Sequence, residues 1–158
     1  MKQRSTNVIK AANQWRSPVG ADYPRGAIAF VPNPAATSII LVFSRDASVL
    51  DLASRAAGDG WKLEQCDDDR KFGQLLVLPQ VRLFIVDDEA IEHQMRGWLL
   101  ERVRTSAPQA PFVYVAGAHS DATEKRARAY GAGYYTSKPV EAEPLLRVLG
   151  SLISRAPK

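Results

Sequence analysis

The sequence predicts an α/β fold in which a parallel sheet is covered by helices on both faces. From residue 37 onward, short apolar runs alternate with segments whose apolar residues recur at helical spacing. Each strand and its following helix take about 20–25 residues, which suits a right-handed crossover between parallel strands. Glycine or proline marks most of the boundaries between these segments.

The five strands are predicted from short runs of apolar or alternating residues. The runs 38–43 and 81–86 are almost continuously apolar and rich in β-branched residues, as in strands that are buried on both faces. The run 61–66 alternates in character, and the last two strands are expected at 112–116 and 133–136.

The helices are predicted from apolar residues that lie three or four positions apart. Asp67 or Asp68 is expected to cap the second helix, and Asp121 is expected to cap the fourth, which runs through Tyr130. The residues expected to face inward are Val49, Leu52, Ala53 and Ala56 in the first helix, Phe72, Leu75 and Leu76 in the second, Ile91, Met95, Trp98, Leu99 and Val103 in the third, and Leu145, Val148, Leu149, Leu152 and Ile153 in the fifth.

For this size and alternation, the flavodoxin-like strand order 2-1-3-4-5 is expected, as a three-layer sandwich of five strand–helix units. In this arrangement, ligands bind at the carboxyl ends of strands one and three. Those ends fall at residues 44–46 and 87–89.

Composition and charge point to one globular domain with a basic extension. The chain has 158 residues, of which 46% are hydrophobic and 24% charged, as is usual for a folded domain. Its net charge of +4 lies in residues 1–30, which hold five basic side chains and one acidic one. We therefore predict an N-terminal extension at 1–36, partly ordered or flexible, and a domain at 37–156.

The same composition excludes some classes of protein. Apolar runs are about five residues long, too short to span a membrane, and no secretory signal is evident. Cys66 is the only cysteine and cannot form an internal disulfide, which favours a reducing, cytoplasmic location. His93 and His119 lack partners at zinc-ligand spacing.

Three features are expected to meet at one edge of the sheet. Asp87 follows the third strand, Lys138 follows the fifth, and residues 117–120 follow the fourth. A carboxylate opposite a lysine suits a phosphoryl acceptor, because the added oxygens need positive partners. The same pair also suits a structural ion pair, and spacing alone does not separate these interpretations.

Three short segments and one tyrosine carry a resemblance to a known family. VRLFIVD ends on Asp87, SKPV places Lys138 before a proline, Tyr135 lies three residues earlier, and PFVYVAGAH covers the fourth strand. Together they make residues 38–154 resemble the receiver domain of two-component response regulators (CheY-like). The resemblance implies that Asp87 is the phosphoacceptor, that Lys138 is its phosphoryl partner and that Tyr135 is a switch residue.

The chain departs from the family pattern at two places. Ser44 and Arg45 stand where the family keeps the acidic pair that holds Mg²⁺, and Ala116 stands where it keeps a threonine or serine. We therefore predict a degenerate receiver (pseudo-receiver) in which Mg-dependent phosphorylation of Asp87 is impaired and Tyr135 is held in one orientation. Arg45 is expected either to pair with Asp87 in place of a cation or to point to solvent.

The predicted function is that of a non-enzymatic, single-domain response regulator receiver without a cofactor. It would act in two-component or phosphorelay signalling by binding a histidine kinase or a downstream signalling protein. A homodimer through helix four, strand five and helix five is a further expectation. One alternative is a phosphorylation-competent receiver that holds Mg²⁺ with Asp46, Asp87 and Glu89. Another, in a different class, is a nucleic-acid- or membrane-binding module driven by the basic extension.

Overall fold

The computed structural model describes residues 37–156, which form a five-stranded parallel sheet with helices on both faces. The strand order is β2-β1-β3-β4-β5, so the predicted fold class and topology are confirmed. Two 3₁₀ turns, Asp88–Ala90 and His93–Met95, follow the third strand. In chain order, the elements are β1 Ser38–Phe43, α1 Ala47–Ala57, β2 Trp61–Cys66, α2 Asp69–Leu75, β3 Val81–Asp87, α3 Arg96–Ser106, β4 Phe112–Ala116, α4 Asp121–Ala129, β5 Tyr134–Ser137 and α5 Ala142–Arg155.

The central strands are apolar because both of their faces are covered. Val42 and Ile85 face the layer that α1 and α5 form, whereas Phe43 and Phe84 face the layer that α2, α3 and α4 form. All four side chains are fully buried. This pattern explains why β1 and β3 read as continuous apolar runs.

Polar side chains cap the N-terminal ends of α2 and α4. Asp68 caps α2 by accepting a hydrogen bond from the backbone N–H of Lys71 at 2.8 Å. Ser120, and not Asp121 as predicted, caps α4 by accepting from the N–H of Thr123 at 3.1 Å. The serine side chain stands one residue before the helix, where it can reach the free N–H groups of the first turn.

The third helix differs from its prediction. Trp98 was expected to face the core, but 46% of its surface is exposed, and Leu100 is buried instead. The 3₁₀ turn His93–Met95, which lies between Ile91 and α3, changes the rotation per residue, so the apolar spacing that begins at Ile91 does not continue in phase through Trp98. The guanidinium of Arg102 covers the indole ring at 5.4 Å from its centroid.

The register of the sheet brings three strand ends to one edge. Phe43 pairs with Val86, Asp87 pairs with Val115, and Ala116 pairs with Ser137. The residues that follow β1, β3 and β5 therefore share the carboxyl edge of the sheet.

Within the described part of the chain, no helix has the length and apolar character needed to cross a membrane. The predicted extension, residues 1–36, lies outside the described residues.

Candidate functional site

Asp87 ends β3 with a buried carboxylate, only 1% exposed. Its Oδ2 accepts hydrogen bonds from Ser44 Oγ at 2.7 Å and from Lys138 Nζ at 2.9 Å. Its Oδ1 accepts from the backbone N–H of Glu89 at 3.1 Å. Both oxygens are thus bound by protein groups, which satisfies the requirement that a buried charge be paired and hydrogen-bonded.

Lys138 is the cation at the centre of the site. Besides Asp87, its Nζ lies 2.6 Å from Glu89 Oε2 and 3.1 Å from Asp46 Oδ2. Burial works against the charged form, but the hydrogen bonds to Glu89, Asp87 and Asp46 outweigh it and raise the pKa of Lys138 above its usual value. The side chain is therefore a permanent ammonium group at physiological pH.

Asp46 has a second role besides its ion pair with Lys138. It is the N-cap of α1, where its Oδ1 accepts from the backbone N–H of Ser48 at 2.8 Å and from the Ser48 hydroxyl at 2.6 Å. The Ser48 hydroxyl contributes most to lowering the pKa of Asp46 to about 2; burial opposes this effect and Lys138 adds to it. The carboxylate is thus ionised throughout the physiological range.

Glu89 reaches Lys138 because residue 117 has no side chain. A Cβ at Gly117 would lie 2.5 Å from Glu89 Cγ and 2.6 Å from Oε1. These distances are far below van der Waals contact, so any larger residue at this position would displace the glutamate. Gly117 is therefore a packing requirement of the site.

The two residues after β1 point in opposite directions. Ser44 is fully buried, donates to Asp87 and accepts from the backbone N–H of Asp46 at 3.0 Å. The Arg45 side chain is 66% exposed and donates to the backbone oxygen of Asp67 at 3.1 Å. The predicted Arg45–Asp87 pair is therefore wrong, and the alternative, that Arg45 points outward, describes the structure. Because successive residues of an extended chain face opposite sides, Ser44 faces inward and Arg45 faces solvent. The cation beside Asp87 is therefore Lys138 and not Arg45.

The predicted switch residues lie beside this site. Ala116 is fully buried, and Tyr135 is 9% exposed with its ring parallel to that of Tyr114, the centroids being 6.0 Å apart. The Tyr135 hydroxyl lies 3.4 Å from Nδ1 of His119, and burial raises the pKa of Tyr135. The ring thus lies inward in this structure, and its role as a switch stays a prediction.

Asp88 organises the edge of the sheet in a way that the sequence analysis missed. It is 4% exposed and turned away from Asp87: Oδ1 accepts from the backbone N–H of Gly117 at 2.8 Å, and Oδ2 accepts from the Tyr114 hydroxyl at 3.2 Å. Arg96 Nη1 lies 3.7 Å from the same Oδ2. Burial, followed by the charge of Asp88, raises the pKa of Tyr114, which keeps its hydroxyl a donor.

The one available signal for this role was the alternation of side chains at a strand end. Asp87 and Asp88 are adjacent but have different partners: Asp87 faces the crevice, and Asp88 binds groups outside it. The partners of Asp88 are Tyr114 on β4 and Arg96 on α3. No sequence pattern around Asp88 predicts these contacts.

The carboxylates of the site converge on an ammonium group and not on a space for a metal ion. Asp46, Asp87 and Glu89 each place an oxygen within 3.1 Å of Lys138 Nζ. In residues 37–156 there is no group of three or more histidine, cysteine or acidic side chains arranged to hold a metal. Mg²⁺ takes near-octahedral oxygen ligands, whereas in this arrangement the three carboxylate oxygens surround the Lys138 ammonium group. The crevice they line has a volume of about 260 Å³.

Comparisons with known proteins support the fold. No protein-family model and no curated protein matches the chain. A response regulator from Thermotoga maritima superposes with a TM-score of 0.63 at 19% identity, covering 75% of this chain and 98% of its own. A CheY-like receiver domain protein from Methanospirillum hungatei gives 0.62 at 20% identity, with 74% and 94% covered. A putative pilus assembly protein from Burkholderia thailandensis gives 0.58 at 22% identity, with 75% and 99% covered. These similarities place the described residues in the receiver fold.

Proposed function

We propose that the chain is an atypical receiver domain in two-component signalling that acts by binding protein partners and not by catalysis. The receiver fold and the position of Asp87 and Lys138 at the carboxyl edge of the sheet support this proposal. The match to a putative pilus assembly protein indicates that the fold also occurs in proteins not described as response regulators. A fold that occurs in proteins of different function does not define the function of this chain, so the proposal rests on the residues of the site.

The observation that carries the proposal is the set of protein groups that hold both oxygens of Asp87. An acceptor carboxylate needs a free oxygen in line with the incoming phosphoryl group and a cation that neutralises the developing charge. Asp87 has one oxygen held by both Ser44 and Lys138, and it is 1% exposed. Ser44 and Arg45 add no carboxylate after β1. We therefore expect Mg-dependent phosphorylation of Asp87 to be impaired.

The competing function is that of a phosphorylation-competent receiver. The convergence of Asp46, Asp87 and Glu89 within one crevice favours it, because these are the three carboxylates that would hold Mg²⁺. In that function, Lys138 would have to leave at least part of this cluster before a metal could enter. Isothermal titration of the protein with MgCl₂ separates the two proposals: we expect no saturable heat.

The direct test is incubation with acetyl phosphate and MgCl₂, followed by intact-mass measurement. We expect no added phosphate on the natural chain. Asp87→Asn is the control, since phosphate on the natural chain that is missing from this variant would establish a competent acceptor and contradict the proposal. A Ser44→Asp/Arg45→Asp variant restores the acidic pair and serves as the positive comparison for Mg²⁺ binding.

The expected partners are a histidine kinase or a downstream signalling protein, met in the cytoplasm. A second copy that binds through α4, β5 and α5 is also proposed, and sedimentation velocity tests it. If Asp87 is a structural residue, Asp87→Asn should leave partner binding intact.

A nucleic-acid-binding function would instead appear as binding of nucleic acid that weakens steeply as the salt concentration rises.

A further inference from the structure

Two grooves, each lined by apolar and polar groups, lie at the end of the sheet opposite Asp87, where β3 and β4 begin. One has a volume of about 230 Å³ and lies against the turn before β3, and the other, about 300 Å³, lies between the ends of α3 and α4. They share Ala107, Pro108 and Ala110 in the connection that leads to β4. We call the two grooves together the basal surface, formed by residues 76–79, 81–82, 103–104, 106–112 and 129–131.

The basal surface exposes large apolar side chains. Val77 is 63% exposed and Leu78 is 37% exposed, and both line the first groove. The turn that carries them is held by backbone hydrogen bonds, from Leu78 N–H to Leu75 O at 3.0 Å and from Val81 N–H to Leu78 O at 3.1 Å. Their exposure is thus a property of an ordered turn, and they add apolar area to the first groove.

The charge around the grooves has one sign. Arg82 lines the first groove and Arg104 the second, and no acidic residue lines either of them. Within residues 37–156, neither guanidinium forms an ion pair with a carboxylate. An occupant that complements this surface therefore carries apolar side chains together with negative charge.

We propose that the basal surface is a docking site for a segment of a partner protein that presents large apolar side chains next to acidic ones. The apolar side chains fill the two grooves on either side of Pro108, and the acidic ones pair with Arg82 and Arg104. A second copy of the chain is the less suitable occupant, because a two-fold contact through this surface brings arginines together without an acidic partner. The inference shares with the proposed function only the premise that the output is a protein contact.

The test is selection of a displayed library of random peptides on the full-length protein. We expect the enriched peptides to combine Leu, Ile or Phe with Asp or Glu. Their affinity, measured by fluorescence anisotropy on synthesised peptides, should fall about tenfold or more in Val77→Ser/Leu78→Ser and in Arg82→Glu/Arg104→Glu. Two matched controls should bind unchanged: Trp98→Ser removes an exposed apolar residue, and Arg126→Glu reverses an exposed charge, both outside the grooves.

Three outcomes would overturn the inference: no enriched peptide, enriched peptides without acidic residues, or peptides whose affinity the groove variants leave unchanged. Sedimentation velocity tests whether a second copy of the chain occupies the basal surface. Self-association of the natural chain that is lost in Val77→Ser/Leu78→Ser would assign the surface to a second copy. Val77, Arg104 and Arg126 are exposed, whereas Arg82 is half-buried, and Leu78 and Trp98 bury part of their surface. Urea unfolding is therefore measured on every variant, and affinities are compared under conditions in which each variant is folded. These results are independent of Asp87 phosphorylation, so failure here leaves the proposed function standing, and the reverse also holds.

Discussion

Lys138 and Asp46 form an ion pair of 3.1 Å that joins the residues after β5 to the first turn of α1. In the sheet, β3 and β4 lie between the two strands that these residues follow. The lysine side chain therefore spans the carboxyl edge of the sheet and links segments that share no backbone pairing. The stability of this edge should consequently depend on pH and on each of its charged members.

We predict that the Asp46 carboxylate stabilises the fold in a pH-dependent way. Its pKa is about 2, below its ordinary value of 3.8. A lowered pKa contributes stability that is present above pH 3.8 and is lost as the pH falls through about 2. At pH 7, Asp46→Asn should lower the free energy of unfolding by about 1 kcal/mol, because solvent screens a partly exposed group, and this difference should shrink between pH 4 and pH 2.

Urea unfolding of both proteins at several pH values measures this difference. Asp51→Asn is the matched control, because Asp51 lies in α1, which Asp46 caps, and within residues 37–156 it pairs only with Arg55, at 3.5 Å on the surface. A difference for Asp46→Asn that stays constant from pH 7 to pH 2 would show that Lys138 and Ser48 do not favour the ionised carboxylate.

Removal of the central cation should be costly. Lys138→Met leaves the buried Asp87 carboxylate without its ammonium partner, and an uncompensated buried charge costs about 3–5 kcal/mol. Since Ser44 still donates to Asp87, we expect a loss of about 3 kcal/mol in urea unfolding. Adding Asp87→Asn should recover part of this loss, because the second substitution removes the unpaired charge.

Arg45→Met is the comparison for this variant. Its guanidinium is largely exposed and lies 4.0 Å from the Asp67 carboxylate, so we expect a change below about 1 kcal/mol. Equal losses for the arginine and lysine variants would mean that Arg45 contributes as much as Lys138 to the charge balance around Asp87.

Gly117 and Glu89 should be energetically coupled. Gly117→Ala is expected to turn the Glu89 side chain away from Lys138, because the new Cβ takes the space of Cγ. We expect a loss of about 1–2 kcal/mol, which combines strain with a weakened ion pair. In a Glu89→Ala background, the same glycine substitution should cost less than about 0.5 kcal/mol. A double-mutant cycle by urea unfolding measures the coupling, and additive effects would contradict the steric explanation.

We expect Asp88 to contribute more to the free energy of unfolding than its partner Tyr114 does. Tyr114→Phe removes one hydrogen bond and should cost about 1 kcal/mol. Asp88→Ala leaves both the Gly117 N–H and Arg96 without this carboxylate and should cost about 2–4 kcal/mol. Hydrogen exchange at the Gly117 amide provides a local readout: it should accelerate in Asp88→Ala and change little in Tyr114→Phe.

The sheet could be predicted because its signals are local. Residues 38–43 and 112–116 became strands with the predicted bounds, since continuous apolar runs of that length have few other uses. The prediction for Trp98 is wrong because it assumes one helical period from Ile91 onward, whereas a 3₁₀ turn occupies His93–Met95. The spacing of apolar residues predicts the buried face within a regular helix, but not across a segment that has a different number of residues per turn.

The site was predictable in position and only partly in contacts. The strand ends placed Asp87 and Lys138 on the same edge, and their 2.9 Å contact follows from the topology. The direction of Arg45 did not follow, because a long charged side chain at a strand end can reach either inward or outward. The roles of Gly117 and Asp88 depend on packing between segments about thirty residues apart, which no local pattern records.

The seven residues of β3 separate the Asp87 crevice from the basal surface by about 20 Å. A molecule seated at either end therefore meets no steric obstacle from one seated at the other. If a partner docks at the basal surface as proposed, the length of β3 sets the distance between that partner and any molecule bound at Asp87.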